Sequence, residues 1–219
     1  MVTPFHNVKL QKRRFLTLAG KNFGPADYKK VLGAFKFAEI KHKGQRRDEG
    51  TTYLIHPIRV AITLLDDVGT WDADAVAAAL LHDVVEDCGV RLNTIQKQFG
   101  KRVAYFVRML TRMRRKPRET EAEKEIEKRH KLSLLASSPL EVRLIKCADI
   151  LDNLRCSADI AWWMWTPLAR KKFARWHREF HQAEEFAKDV HPVLYHEINQ
   201  ALRKFDMKRL VRGVIRFGL

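Results

Sequence analysis

Cysteine is scarce in this chain, and the three present, Cys88, Cys147 and Cys156, are widely scattered. That excludes a disulfide framework and the paired spacing of a zinc ribbon or knuckle, and it fits a reducing cytoplasm. Long apolar runs are missing too. The longest, Ala75 to Leu81, falls far short of the ~20 residues that span a bilayer, so no membrane segment is expected. Lys9, Lys12, Arg13 and Arg14 make a basic start, but no apolar block follows them, so no signal peptide is expected. Strand-like alternation is weak and confined to about Thr51–Ile55, and internal repeats are absent. Acidic residues are outnumbered: 42 Lys and Arg face 26 Asp and Glu, a formal net charge of +16 over 219 residues. The excess gathers in 9–14, 101–118, 170–178 and 203–216. Such a surface attracts polyanions. Aromatics interleave with charge at Phe173-Ala174-Arg175-Trp176, yet no nucleic-acid-binding motif accompanies them. Steering of a small nucleotide with several phosphates is therefore preferred, with nucleic-acid binding as the alternative.

What the chain does have is concentrated in Ala79-Leu80-Leu81-His82-Asp83-Val84-Val85-Glu86-Asp87. On a continuous helix, at about 100° per residue, His82 and Glu86 share one line and Asp83 and Asp87 another. One face would then carry an imidazole and three carboxylates within an arc of roughly 140°. Carboxylates so close repel one another unless a cation sits between them, which makes a divalent metal the economical reading. The plainer reading is a solvated helix with an acidic face. Two further segments weigh against it: Tyr53-Leu54-Ile55-His56-Pro57, and Lys146-Cys147-Ala148-Asp149-Ile150-Leu151-Asp152-Asn153-Leu154-Arg155. A lone His before Pro is more often a helix-entry residue, and Asp-x-x-x-Asn is more often solvated or capping. The ordered set is far more specific than any member.

Taken together with His42-Lys43-Gly44-Gln45-Arg46-Arg47-Asp48-Glu49-Gly50 and Phe99-Gly100, these segments resemble the HD-domain hydrolases. Within them the chain is similar to the RelA/SpoT hydrolase family, which removes the 3′-pyrophosphate of (p)ppGpp. The resemblance runs from about residue 27 to 160. It implies an all-α HD-domain helical bundle with a C-terminal helical extension. It also implies that His56, His82, Asp83 and Asp149 are metal ligands. Glu86 and Asp87 would be the catalytic pair that holds and deprotonates water, Arg47 the basic residue beside the nucleotide base, and Asn153 a nucleotide contact. Lys43 and Lys146 are further candidates for the phosphates, or else snorkelling helix residues. Nitrogen and oxygen donors without sulfur suit Mn²⁺, Fe²⁺, Co²⁺ or Zn²⁺; the resemblance favours Mn²⁺. The chain departs from the family's usual pattern at Glu49, Thr51-Thr52, Ile150, Asp152 and Cys156, positions around the purine and ribose.

The resemblance implies a small, stand-alone alarmone hydrolase, since after residue 160 too little chain follows for a synthetase domain. Alternatives within the same chemistry are hydrolysis of ppApp-type alarmones, including an antitoxin whose partner is an alarmone-synthesising toxin, and an NADPH 2′-phosphatase. A catalytically idle, basic binding module is the alternative of another class, and a homo-oligomer stays open.

The pattern predicts helices over 27–43, 57–68, 73–87, 93–99, 101–111, 121–136, 140–156, 168–188 and 192–206, with 112–120 as a linker. Asp72 is the expected cap of the 73–87 helix and Gly89 its stop. The expected division is an N-terminal extension over 1–26, a catalytic core over 27–160 and C-terminal helices over 161–219 packing on that core. Ala161-Trp162-Trp163-Met164-Trp165 reads as packing, with one or more rings left exposed or meeting a partner. His177 and His181, four apart, have the spacing to bind a metal with a carboxylate such as Glu184; they are read as solvated or capping.

Overall fold

The computed structural model describes residues 3–48, 50–112, 120–159 and 167–217. Among them the fold is all-α. The weak strand signal survives only as one isolated antiparallel bridge between Arg46 and Thr52. No helix of the described residues is long and apolar enough to cross a membrane.

The chain divides into two compact units: Met1–Arg114 with Pro139–Asp149, and Arg115–Ser138 with Ile150–Leu219. In the first unit the chain order is α1 (Val8–Asn22), α2 (Pro25–Lys41), α3 (Ile55–Ile62), α4 (Ala73–Leu81), α5 (Val84–Cys88), α6 (Leu92–Phe99) and α7 (Lys101–Leu110). Helix α4 is the hub, packing on α2, α3 and α7. Its alanines let neighbours approach closely, and Leu80 and Leu81 are fully buried, each contributing about 1.5–3 kcal/mol of hydrophobic stabilisation. Asp72 caps it as expected, accepting from the Asp74 and Ala75 backbone N–H groups at 2.9 and 3.1 Å. Every residue of α3 is buried. Pro57 falls within its first turn, where its missing N–H costs nothing. Beyond α3 the chain continues as a wider turn, with Val68 N donating to Thr63 O at 3.0 Å.

Residues 1–26, expected to be an extension, contain α1, a helix the sequence pattern did not reveal. It packs on α3 and α2 through buried Phe15 and Ala19. Buried Arg59 fastens the segment before it: Nη1 donates to Phe5 O at 3.0 Å, and the guanidinium lies 4.0 Å from the Phe5 ring centroid.

The second correction concerns the central motif. The single helix expected over 73–87 breaks at His82 and Asp83, between α4 and α5. Neighbouring side chains on an unbroken helix diverge by about 100°. The break, with Asp83 at φ −97°, ψ −10°, lets both point to one place. Gly89 ends α5 at φ 65°, a left-handed conformation that glycine takes without steric cost.

In the second unit, α8 (Glu121–Leu135) packs on α10 (Pro167–Lys188), which packs on α11 (Pro192–Phe217). Thr120 and Glu123 close a capping box at the start of α8. Helix α9 (Leu140–Asp159) gives residues up to Asp149 to the first unit and the remainder to the second. The boundaries at 26 and 160 are thus not those of the structure. The tryptophan-rich stretch 161–165, Glu49 and most of the 112–120 linker lie outside the described residues.

Candidate metal centre

Three separate segments supply one buried cluster: His56 from the first turn of α3, His82 and Asp83 from the α4–α5 break, and Asp149 from the middle of α9. His56 Nε2 stands 3.2 Å from His82 Nε2 and 3.3 Å from Asp149 Oδ1. Asp83 Oδ2 stands 3.2 Å from His82 Nε2 and 3.6 Å from His56 Nε2. Donor atoms bound to one ion at about 2.1–2.2 Å, at angles of 90–109°, lie about 3.0–3.6 Å apart. The four distances above fall in that range, and His82 Nε2 to Asp149 Oδ1 is wider at 3.9 Å. With two nitrogens, two carboxylates and no sulfur, the residues fit a divalent metal.

Hydrogen bonds aim the donors inward. His82 Nδ1 donates to Ala79 O at 2.8 Å, which turns Nε2 to the cluster. Lys146 Nζ holds Asp149 Oδ2 at 2.8 Å and leaves Oδ1 facing His56. Burial disfavours charge on His82, but Asp83 and Asp149 outweigh it and raise the pKa to about 9. Burial likewise pushes the Asp83 carboxyl up, and the two histidines pull it further down, below the usual range. Asp149 is also driven well below that range, burial being outweighed by Lys146 and the histidines. The pocket is therefore built for positive charge.

A second layer surrounds it. The Tyr53 hydroxyl sits 2.6 Å from Asp83 Oδ2 and 2.9 Å from Asp87 Oδ2, sharing one proton between the two carboxylates. Gln45 Nε2 donates to Asp87 O at 3.1 Å, while its Oε1 accepts from His42 Nδ1 at 2.7 Å. The buried His42 ring stacks on Tyr53 with centroids 4.8 Å apart. Glu86 Oε2 accepts the Arg112 backbone N–H at 3.0 Å, which ties α5 to the end of α7.

Of the residues singled out from sequence, His56, His82, Asp83 and Asp149 converge, and Asp87 joins them through Tyr53. Arg47 is half-buried, 5.8 Å from the Tyr53 ring centroid. Lys43 is exposed in the turn after α2, and Lys146 is engaged with Asp149. Asn153 is half-buried one helical turn past Asp149, in the part of α9 that belongs to the second unit. Asp152 is buried, with 3% exposure, so it does not face solvent. Sequence reasoning gave Tyr53, His42 and Gln45 no role. Their signal was present, since each sits inside a quoted motif three residues or fewer from a polar motif partner.

A helical bundle that presents a His-Asp pair at a helix break, with a preceding His and a distant Asp, defines an HD-domain protein. The family model for the HD domain matches residues 34–175, and the chain belongs to that family. More particularly, it is 39% identical over 127 residues to guanosine-3′,5′-bis(diphosphate) 3′-pyrophosphohydrolase MESH1 of Homo sapiens, covering 57% of this chain and 68% of the relative. It is 34% identical over 151 residues to the guanosine-3′,5′-bis(diphosphate) 3′-pyrophosphohydrolase of Aquifex aeolicus, over 69% of this chain and 20% of that one. The chain thus spans about a fifth of the length of such long relatives. It also resembles the solved structure of a metazoan ortholog of SpoT that hydrolyses ppGpp and plays a role in starvation responses. There the TM-score is 0.67 and the identity 29%, over 80% of this chain and 94% of that one.

Proposed function

We propose that the chain is a Mn²⁺-dependent (p)ppGpp 3′-pyrophosphohydrolase. The observation that carries the reading is the convergence of His56, His82, Asp83 and Asp149 at ligand-to-ligand spacings, with Asp87 linked to them through Tyr53. The names of its HD-domain relatives supply the substrate.

The four converging residues would hold the metal, which supplies charge to polarise a phosphoryl oxygen and to acidify water. Asp87 and Glu86 take the water's proton and orient the attack. Water oxygen bonds to the 3′ phosphorus, the bond from that phosphorus to the ribose 3′ oxygen breaks, and the freed oxygen takes up a proton. Pyrophosphate leaves with the nucleoside 5′-diphosphate from ppGpp or the 5′-triphosphate from pppGpp. Tyr53 keeps Asp83 and Asp87 in fixed relation, and Lys146 fixes Asp149; its role is positioning rather than phosphate contact. Arg47 stacks on the purine. Lys43 and the wider basic surface attract the polyanion. Incubating the purified chain with Mn²⁺ and ppGpp, pppGpp, ppApp or NADPH tests the reading. Pyrophosphate release from the guanosine substrates, lost on metal removal, is expected. Release of only inorganic phosphate, or turnover of NADPH alone, would overturn it.

A further inference from the structure

The second unit holds another set of metal-ligating side chains that the reaction above does not use. His177 and His181 lie one turn apart on α10, and Asp206 lies on α11. His177 Nε2 is 3.2 Å from Asp206 Oδ1, and His181 Nε2 is 3.3 Å from Asp206 Oδ2. The two imidazole centroids are 4.6 Å apart. Tetrahedral zinc, with bonds of about 2.0–2.1 Å, places neighbouring donors about 3.3 Å apart. An imidazolium–carboxylate hydrogen bond is shorter, about 2.7–2.9 Å.

Three observations bear on the site besides these distances. Asp206 Oδ1 is a buried oxygen that accepts no hydrogen bond among the described residues. Such an oxygen is costly unless a cation meets it. Behind His181, Glu184 Oε2 stands 3.8 Å from Nδ1, and Glu184 Oε1 accepts from Asn199 Nδ2. A carboxylate behind the far ring nitrogen is the usual support of a metal-binding histidine. Finally, Phe180 and Phe205, each one residue before a ligand, pack edge to face at 5.5 Å and fix α10 against α11 in the required register. His181 keeps a side-chain exposure of 44%, so an ion has a path in and solvent can complete its coordination.

We infer that His177, His181 and Asp206 form a second divalent-metal site, suited to Zn²⁺, that clips α10 to α11. A pair of histidines four apart on one helix with a carboxylate from elsewhere is a donor set that zinc accepts readily. The site stands independently of the reaction assigned to the first cluster, because it shares no residue with it.

The test is equilibrium dialysis of the full chain against micromolar Zn²⁺, with metal counted per chain, alongside thermal melts. Two equivalents are expected. His177→Gln with His181→Gln should leave one, and should abolish the part of the Zn²⁺-induced rise in Tm that the second equivalent provides. Glu184→Gln, which spares the ligands, should weaken that equivalent by about 10–100-fold. His196→Gln, a histidine outside the set, should leave both. Far-UV circular dichroism of the double variant matching the parent shows that its helices have folded. Two full equivalents in the folded double variant, or a parent stoichiometry that the double substitution leaves unchanged, would overturn the inference.

Discussion

The two histidine–carboxylate clusters differ in how the chain makes them. The one in the first unit draws on three segments, from His56 to Asp149, and is closed off: His56 and His82 are 1% and 5% exposed. The one in the second unit comes from two successive helices and leaves His181 open to solvent. Burial is what makes the first cluster chemically demanding. Carboxylates removed from water hold cations strongly, and there Asp83 and Asp149 outweigh the burial that disfavours charge on His82 and raise its pKa to about 9. The second cluster has its carboxylate partly solvated, so it needs less and can do less. Around the first stands a ring of hydrogen-bonding side chains, Tyr53, Gln45, His42 and Lys146; the second has Glu184 and Asn199 behind one ligand. A site that must move a proton and stabilise developing charge needs the former.

The sharpest way to break that comparison is to remove a buried ligand. His82→Ala or Asp149→Ala should lose both the metal of the first cluster and pyrophosphate release, while metal retained through His177 and His181 stays. Full turnover by either variant after dialysis against a chelator would end the assignment of ligands.

A smaller effect separates the ligands from the groups that handle water. Glu86→Gln and Asp87→Asn keep size and remove charge, so metal content should hold while kcat falls by about 10²–10⁴-fold. If Glu86→Gln instead sheds its metal like His82→Ala, Glu86 belongs among the ligands.

Smaller again is the effect of the supporting layer. Tyr53→Phe removes the hydroxyl that Asp83 and Asp87 share and leaves the ring that stacks on His42. We expect turnover or metal affinity to fall by roughly 10–100-fold, the range for groups behind metal ligands. Parent-like kinetics in this variant would show that the bridge is dispensable.

The smallest effect concerns the frame that holds the first cluster. Asp72→Ala removes the cap of α4 and should cost about 1 kcal/mol in chemical denaturation at neutral pH. Burial pushes the Asp72 carboxyl up, but Arg102, with the Ala75 and Asp74 backbone N–H groups, outweighs that and holds it below its ordinary value of 3.8. A depressed carboxyl stabilises the fold above its unfolded value and loses that contribution as pH falls through the folded one. The parent and Asp72→Ala curves should therefore converge below about pH 3.8. A gap that persists at lower pH would mean that the cap acts without its charge.

Part of the first cluster was legible in residues and spacing. His82 and Asp83 stood out because polar neighbours after an apolar run are expensive without a reason, whereas His56 and Asp149 entered as ligands through the family resemblance. The helix break between Leu81 and Val84 was not legible, because alanine, leucine and valine there all favour continuing a helix or filling a core. Helix α1 was missed for the opposite reason: its many basic residues mask the few apolar ones, such as Phe15, that bury. The His177–His181 pair was visible, but the carboxylate facing it is Asp206 on the next helix, with Glu184 behind the ring.

By itself the sequence determined the helical class, the polarity of the surface and the donor types at the site, because periodicity, charge and side-chain chemistry are local properties. Only the tertiary structure decided which donors meet. It turned His82 and Asp83 to one point by breaking a helix, set Lys146 on Asp149, and brought Asp206 between two histidines. Those outcomes depend on how helices pack and where water is excluded, and packing joins residues that the chain keeps far apart.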